Sequence, residues 1–567
     1  MKLCDKRKEL LEANGHLLVM GGPGAGKTTI SLLKANWLID NGKLLPGQKV
    51  LFLSFARSTI TNIQKTTKTL IPEKNRKLIE INTYHGFIWR LLQNYSYLIN
   101  GQRRISLLTP HIAGAHLAEF KDAHLRSEKL EELYAESGLL SFDLFAKYAA
   151  ELFNRSDRIL RLITDTYPVI IVDEFQDTDI NEWKFIKALG KYSTIIALAD
   201  PEQRIYDFRG ASVKRIAKYI ERFEPKVFDF EQENNRSTGK DITKFGNDLL
   251  LGKNKGKTYN DVIINKYSFN RPEPNKMLKL NILTAIRRLK TGTGADWSIA
   301  ILVRSKKMML SVSAYLSSQT SLAPIYHEVA IDPNGPALAG VVITGLMEPV
   351  QFNQLEITAN DLINHIRGRS GEKVAVSAIE FVNAISRYLQ SGKVTGKKRV
   401  LFLTELANII EQRKKLIFTG VPEADWLAVR KLFQYCESEY LKHVFEDAKY
   451  LRLLNKGAIL SERLSAKWRT VQSYDGAKSA IEDALLQEHF IAAQTSYKGV
   501  HVMTLHKSKG KEFDEVFIWE DFHNPLVHAD SDEKQLNESR YLLRVGATRA
   551  REKTTFLTVQ SRPCILL

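Results

Sequence analysis

Gly21-Gly22-Pro23-Gly24-Ala25-Gly26-Lys27-Thr28 brings together the residue types that hold a nucleoside triphosphate. The glycines let consecutive backbone N–H groups wrap a phosphate oxygen, where side chains would block so close an approach. Lys27 supplies a point charge for the β and γ phosphates, and the Thr28 hydroxyl suits Mg²⁺. The segment reads G-x-x-x-x-G-K-T, follows the apolar run Leu17–Met20 and opens a helix-like stretch. The helix start then adds its positive dipole end. The phosphate-binding set is Gly22, Pro23, Gly24, Ala25, Gly26, Lys27, Thr28 and Thr29.

A second group lies at Pro168-Val169-Ile170-Ile171-Val172-Asp173-Glu174, an apolar strand ending in adjacent carboxylates. Asp173 stands where a phosphate-loop enzyme needs a partner for Mg²⁺, with Thr28 as the other. Glu174 is the natural base to orient and deprotonate an attacking water. An acidic pair after a strand is common on its own. Downstream of a phosphate loop, in this strand order, it points to ATP hydrolysis with Mg²⁺.

These residues need sheets to carry them. Short apolar runs recur at Leu17–Met20, Val50–Phe55, Val169–Val172 and Thr194–Leu198, then at Ile299–Val303, His501–Thr504, Val516–Trp519 and Thr555–Thr558. Such runs, alternating with helix-like segments, predict an α/β protein with parallel, doubly covered sheets in two lobes. Residues 91–165 and 345–490 are rich in Leu, Ala, Glu, Lys and Arg and predict largely helical insertions, the first without strands. At 567 residues the chain has room for about four units of roughly 150 residues. Its net charge of +18 favours a polyanionic partner. Cys4, Cys436 and Cys564 lie far apart, which argues against a disulfide framework, a zinc site or an iron–sulfur cluster. With no signal-like or membrane-spanning apolar run, a cytoplasmic protein is expected.

The acidic pair extends into Asp173-Glu174-Phe175-Gln176-Asp177-Thr178, which resembles motif II of the UvrD/Rep/PcrA helicases of superfamily 1. Other segments follow in the family's order. Phe52–Arg57 resembles motif Ia, Thr83–Phe87 the next DNA-contacting motif, and Asp200–Ala211 motif III. Gln232–Ser237 resembles motif IV, Thr504–Phe513 motif V, and Val545–Arg551 motif VI. The resemblance implies two RecA-like P-loop NTPase lobes with two mostly helical inserted subdomains. Lobe 1A would take 1–90 and 166–235, lobe 2A 236–344 and 491–567, and the inserts 91–165 and 345–490. It also implies residue roles. Gln203 would sense the γ-phosphate, and Arg236 and Arg549 would reach it from the second lobe, as a planar guanidinium suits a transferring phosphoryl group. Glu512 would meet the ribose or phosphates. Phe55, Tyr84, His85, Tyr206, Phe208, Arg209 and His506 would contact single-stranded DNA. Stacking of bases on aromatic rings suits a motor that passes any sequence, although core packing is an equal use for Phe55 and Phe208.

The base pocket departs from the family's pattern. Arg7 stands where the family has an adenine-reading Gln, Thr29 where it has Arg, and Asn235 where it has a stacking aromatic. Arg204 replaces a small residue and could meet a DNA phosphate or solvent equally. The implied activity is a DNA translocase or helicase, of 3′→5′ polarity, acting on single-stranded or tailed DNA. The alternative is an ATPase subunit of an antiviral defence or repair complex, of the Gabija type, that works with a nuclease partner.

Overall fold

Val50–Ser54 and Val169–Val172 are apolar at nearly every position, so neither strand can show a face to water. Strands buried on both sides belong in parallel sheets covered by helices, and the computed structural model has two such sheets. It describes residues 4–22, 24–54, 57–101, 104–200, 214–230, 241–268, 274–292, 296–319, 321–330, 334–369, 371, 374–449, 451, 459–490 and 497–567.

Among these residues the strands are, in chain order, β1 (Leu17–Met20), β2 (Val50–Ser54), β3 (Ile79–Thr83), β4 (Ser106–Leu108), β5 (Leu139–Ser141), β6 (Val169–Val172), β7 (Thr194–Ala199), β8 (Lys226–Asp229), β9 (Val262–Tyr267), β10 (Ser298–Val303), β11 (His327–Val329), β12 (Gly499–Thr504), β13 (Phe513–Trp519) and β14 (Ala550–Val559). The first six-stranded sheet has the order β3-β2-β6-β7-β1-β8 and the second β11-β12-β10-β13-β14-β9, with every pairing parallel. Ligands of open parallel sheets bind beyond the carboxyl ends of the strands. Here β6, β7 and β1 are neighbours, so the residues after each converge on one edge of the first sheet.

The chain divides into two compact units, each discontinuous in sequence. The first, 1–88, 149–331 and 492–567, holds both six-stranded sheets. Its N-terminal helix α1 (Asp5–Glu12) is fastened to α2 (Lys27–Asp40), the helix after the phosphate loop: the buried Lys34 Nζ donates to the carbonyls of Leu11 (2.5 Å) and Ala13 (2.6 Å) at the C-terminal end of α1. A cation at a helix C-terminus meets both unpaired carbonyls and the negative dipole end.

The second unit, 89–148 and 332–491, is mainly helical. Its centre is the helix Asn334–Met347, buried from Gly335 to Met347. A helix apolar all round must be enclosed by others, and the helices Gln354–Gly368, Pro422–Lys431, Glu439–Ala448 and Ala477–Phe490 pack around it. Arg413 closes its C-terminal end by donating to the carbonyls of Leu346, Met347 and Glu348.

Three expectations are corrected. Residues 149–165 pack with the sheets rather than with the helical unit, because Phe153 stacks on Phe185 at 5.4 Å and Leu160 is buried. Residues 334–344 join the helical unit instead, as the first part of its central helix. The segment 91–165 also contains strands, since β4 and β5 form a short parallel pair.

Candidate active site

The loop after β1 turns sharply into α2. Gly24 and Gly26 have φ of +81° and +84°, a left-handed conformation that a Cβ would strain, and Gly26 is the N-cap of α2. Lys27 Nζ donates to the carbonyls of Gly21 (2.6 Å) and Gly22 (3.1 Å) and lies 3.9 Å from the Asp200 carboxylate beyond β7. The ammonium is thus held inside the loop, where phosphate oxygens can exchange with those carbonyls.

Beyond β6, the Asp173 N–H donates to Leu53 O (2.9 Å), which fixes the turn to β2. Glu174 then takes φ +52°, a conformation that costs a non-glycine residue about 1–3 kcal/mol. Strain of that kind persists only where neighbours hold it. Gln176, buried, is one such neighbour: its Nε2 donates to Glu174 Oε2 (2.6 Å) while its Oε1 accepts from the Asp200 N–H (2.9 Å). One amide therefore ties the carboxylate to the end of β7. Replacing Gln176 with Ala removes a hydrogen bond to a charged group, and kcat for ATP hydrolysis should fall about 10- to 100-fold with little change in KM. Steady-state kinetics would check this, and a rise in KM alone would refute it.

The second sheet supplies the opposite wall. Glu512 precedes β13 and Arg549 precedes β14, and the Phe513 N–H donates to Arg549 O (3.0 Å), so the two residues lie side by side. A cavity of about 300 Å³ is lined by Gly24–Thr29, Asp173 and Glu174 from the first sheet and by Gly510, Glu512 and Arg549 from the second. It thus joins ten residues marked in the sequence: Gly24–Thr29, Asp173, Glu174, Glu512 and Arg549. The helix α3 (Arg57–Leu70) adds Thr59, Asn62, Ile63 and Thr66, whose i, i+3, i+4, i+7 spacing is a helix face that the sequence did not flag as functional.

The two carboxylates are driven apart electrostatically. Burial, and then the Glu174 charge, push Asp173 well above the usual carboxylate range. Glu174 is also opposed by burial, yet the Lys509 and Lys27 ammonium groups, the Gln176 hydrogen bond and Arg549 hold it below that range. A base that stays ionised at neutral pH suits proton abstraction. The residues fit Mg²⁺: a buried carboxylate with so much desolvation to offset, in one cavity with the Thr28 hydroxyl, is a hard-oxygen donor set.

The sequence matches the UvrD/REP helicase N-terminal domain over residues 4–129 and 114–224, and the UvrD-like helicase C-terminal domain over residues 347–561. The chain belongs to the UvrD-like helicases of superfamily 1. DNA helicase II of Rickettsia typhi is 23% identical, with 98% of this chain and 92% of the relative aligned. DNA helicase II of Escherichia coli is 22% identical over 99% and 85%. ATP-dependent DNA helicase PcrA of Staphylococcus aureus is 21% identical over 95% and 80%.

Several expectations for a UvrD-like helicase can be placed. Tyr84 is corrected: it is only 2% exposed and makes an edge-to-face contact with Phe185 at 6.2 Å, so it packs beside the first sheet and offers no face to a base. His85 is half-buried. His506 is exposed and, with Arg304, lines a second cavity of about 870 Å³ in the other lobe. Glu512 accepts from Arg551 Nε (3.4 Å), a partner the sequence did not suggest. Arg7 is buried, donates to Ala25 O (3.3 Å) and lies 4.9 Å from the centre of the Phe230 ring. It thus braces the phosphate loop. Pro23, Phe55, Gln203, Arg204, Tyr206, Phe208, Arg209, Asn235 and Arg236 lie outside the described residues.

Proposed function

We propose that this UvrD-like helicase hydrolyses ATP between its two lobes and uses the cycle to travel along single-stranded DNA in the 3′→5′ direction. The observation that carries the reading is the shared cavity in which Lys27, Asp173 and Glu174 face Glu512 and Arg549. Lys27 exchanges its loop carbonyls for the β and γ phosphates. Arg549 meets the charge that develops on the transferring phosphoryl group. Glu174 takes the proton of the attacking water, held in place by Gln176. Mg²⁺, bound through Thr28 and Asp173, would neutralise charge on the phosphates. Because two of these groups come from the second lobe, hydrolysis is tied to closure of the lobes, and reopening gives a step.

The test is ATP turnover with and without single-stranded DNA, duplex DNA and RNA. Single-stranded DNA should stimulate it, and Lys27→Ala should abolish it. Turnover like the wild type's in that variant would reject the site. Base selectivity should be weak, because Arg7 is engaged with Ala25 and Phe230. Rates with ATP, GTP and CTP should agree within about tenfold, since strong rejection requires buried groups that pair with the correct base. A preference for ATP of about a hundredfold would contradict this.

A further inference from the structure

The turn joining β12 to β13 has residues that work on two surfaces. His506 is exposed on the wall of the larger cavity, beside Arg304. Lys509, three residues later, is buried and reaches the first lobe, where its Nζ lies 2.5 Å from Asp177 Oδ2 with the two side chains 5% and 6% exposed.

This turn is held together as one piece. Ser508 donates to Leu505 O through both its N–H (3.1 Å) and its hydroxyl (2.7 Å), and Lys511 N–H donates to Ser508 O (3.1 Å). Leu505 in turn sits so close to Gly546, on the helix Glu533–Ala547, that a Cβ there would stand 2.5 Å from Leu505 Cδ2. That helix leads directly to Arg549. On the other side, Asp177 ends the short turn Phe175–Asp177 that starts after Glu174, and its N–H donates to Glu174 O (2.9 Å). The ion pair therefore joins the His506 turn to the strained backbone of the base.

We infer that Lys509 is a positioning residue: by gripping Asp177 it sets Glu174 for hydrolysis, and so couples the nucleic-acid contact at His506 to ATP turnover. This rests on the proposed function. The two charges act as a unit, because both are buried and removing one takes a counter-charge from the other. A residue that only packed the turn would not show that dependence on charge.

The experiment is a double-substitution cycle read by single-stranded-DNA-stimulated ATPase. Lys509→Met and Asp177→Asn should each lower kcat about 10- to 100-fold, with KM for ATP changed by less than about twofold. The double variant should lose no more than Lys509→Met alone, and Lys509→Arg should recover most of the rate. Losses that multiply in the double variant, a raised KM at normal kcat, or no recovery with Arg would each overturn the inference. Thermal melting and binding of a non-hydrolysable ATP analogue report folding. If Lys509→Met does not fold, Lys509→Arg and Asp177→Asn decide the question: normal Arg turnover with impaired Asn turnover supports it, and any other result overturns it. If the wild type shows no stimulation by DNA, or Lys27→Ala retains turnover, the proposed function fails. Normal wild-type behaviour with multiplying losses removes this inference alone.

Discussion

Glu174→Gln should lower DNA-stimulated ATP hydrolysis by about 10²- to 10⁴-fold while leaving nucleotide binding intact, the range expected when a general base is lost. The amide has nearly the same shape, so the cavity shared with Lys27 and Arg549 remains. What it lacks is the ability to accept a proton. Single-turnover hydrolysis and equilibrium binding of ATP would separate the two effects, and retention of more than about a tenth of the rate would show that another group is the base. Glu174 also carries a cost in the fold: its φ is +52°. Glu174→Gly should therefore melt at a higher temperature than the wild type and be inactive, a trade between stability and function that active sites commonly show. A lower melting temperature would mean that the hydrogen bond from Gln176 and the cations around the carboxylate outweigh that cost.

Arg549→Ala should be the other severe change, lowering kcat by about 10³-fold or more, as loss of an arginine finger does. The structure fixes its guanidinium at one corner, where Nε donates to Val545 O (2.9 Å), one helical turn back. Lysine cannot reproduce that anchored planar fork. Arg549→Lys should thus remain impaired at least about tenfold. Full activity in the lysine variant would mean that a diffuse positive charge is enough, and the finger role would be wrong. Since Arg549 also helps hold Glu174 ionised, the Ala variant should need a higher pH to reach its maximum rate.

The strands that the sequence revealed and those it hid differ in their place in the sheets. β1, β2, β6 and β7 lie inside the first sheet and β10, β12, β13 and β14 inside the second, and all eight were legible as apolar runs. Within these two sheets the four unrecognised strands, β3, β8, β9 and β11, are the four edges. An edge strand has one flank open and carries polar residues, as Ile-Glu-Ile-Asn-Thr in β3 does. The same logic divides the site. Lys27, Thr28, Asp173 and Glu174 announce themselves by residue type and spacing. Gln176 and Lys509 do not, because their roles depend on which atoms the fold brings to them. Tyr84 was misread because an aromatic ring serves a core as readily as a base.

The position of β10 also shapes how the protein is made. All six of its residues, Ser298–Val303, are buried, and both of its partners, β12 and β13, come from residues 499–519. At about 5–20 residues per second, the ribosome completes them on the order of 10–40 s after β10 emerges. During that interval a flat apolar strand has two unpaired flanks, which is the feature that seeds aggregation. The second lobe therefore has to fold after residues 499–519 have been made, and its yield should depend on chaperones and on the pace of translation more than its final stability would suggest.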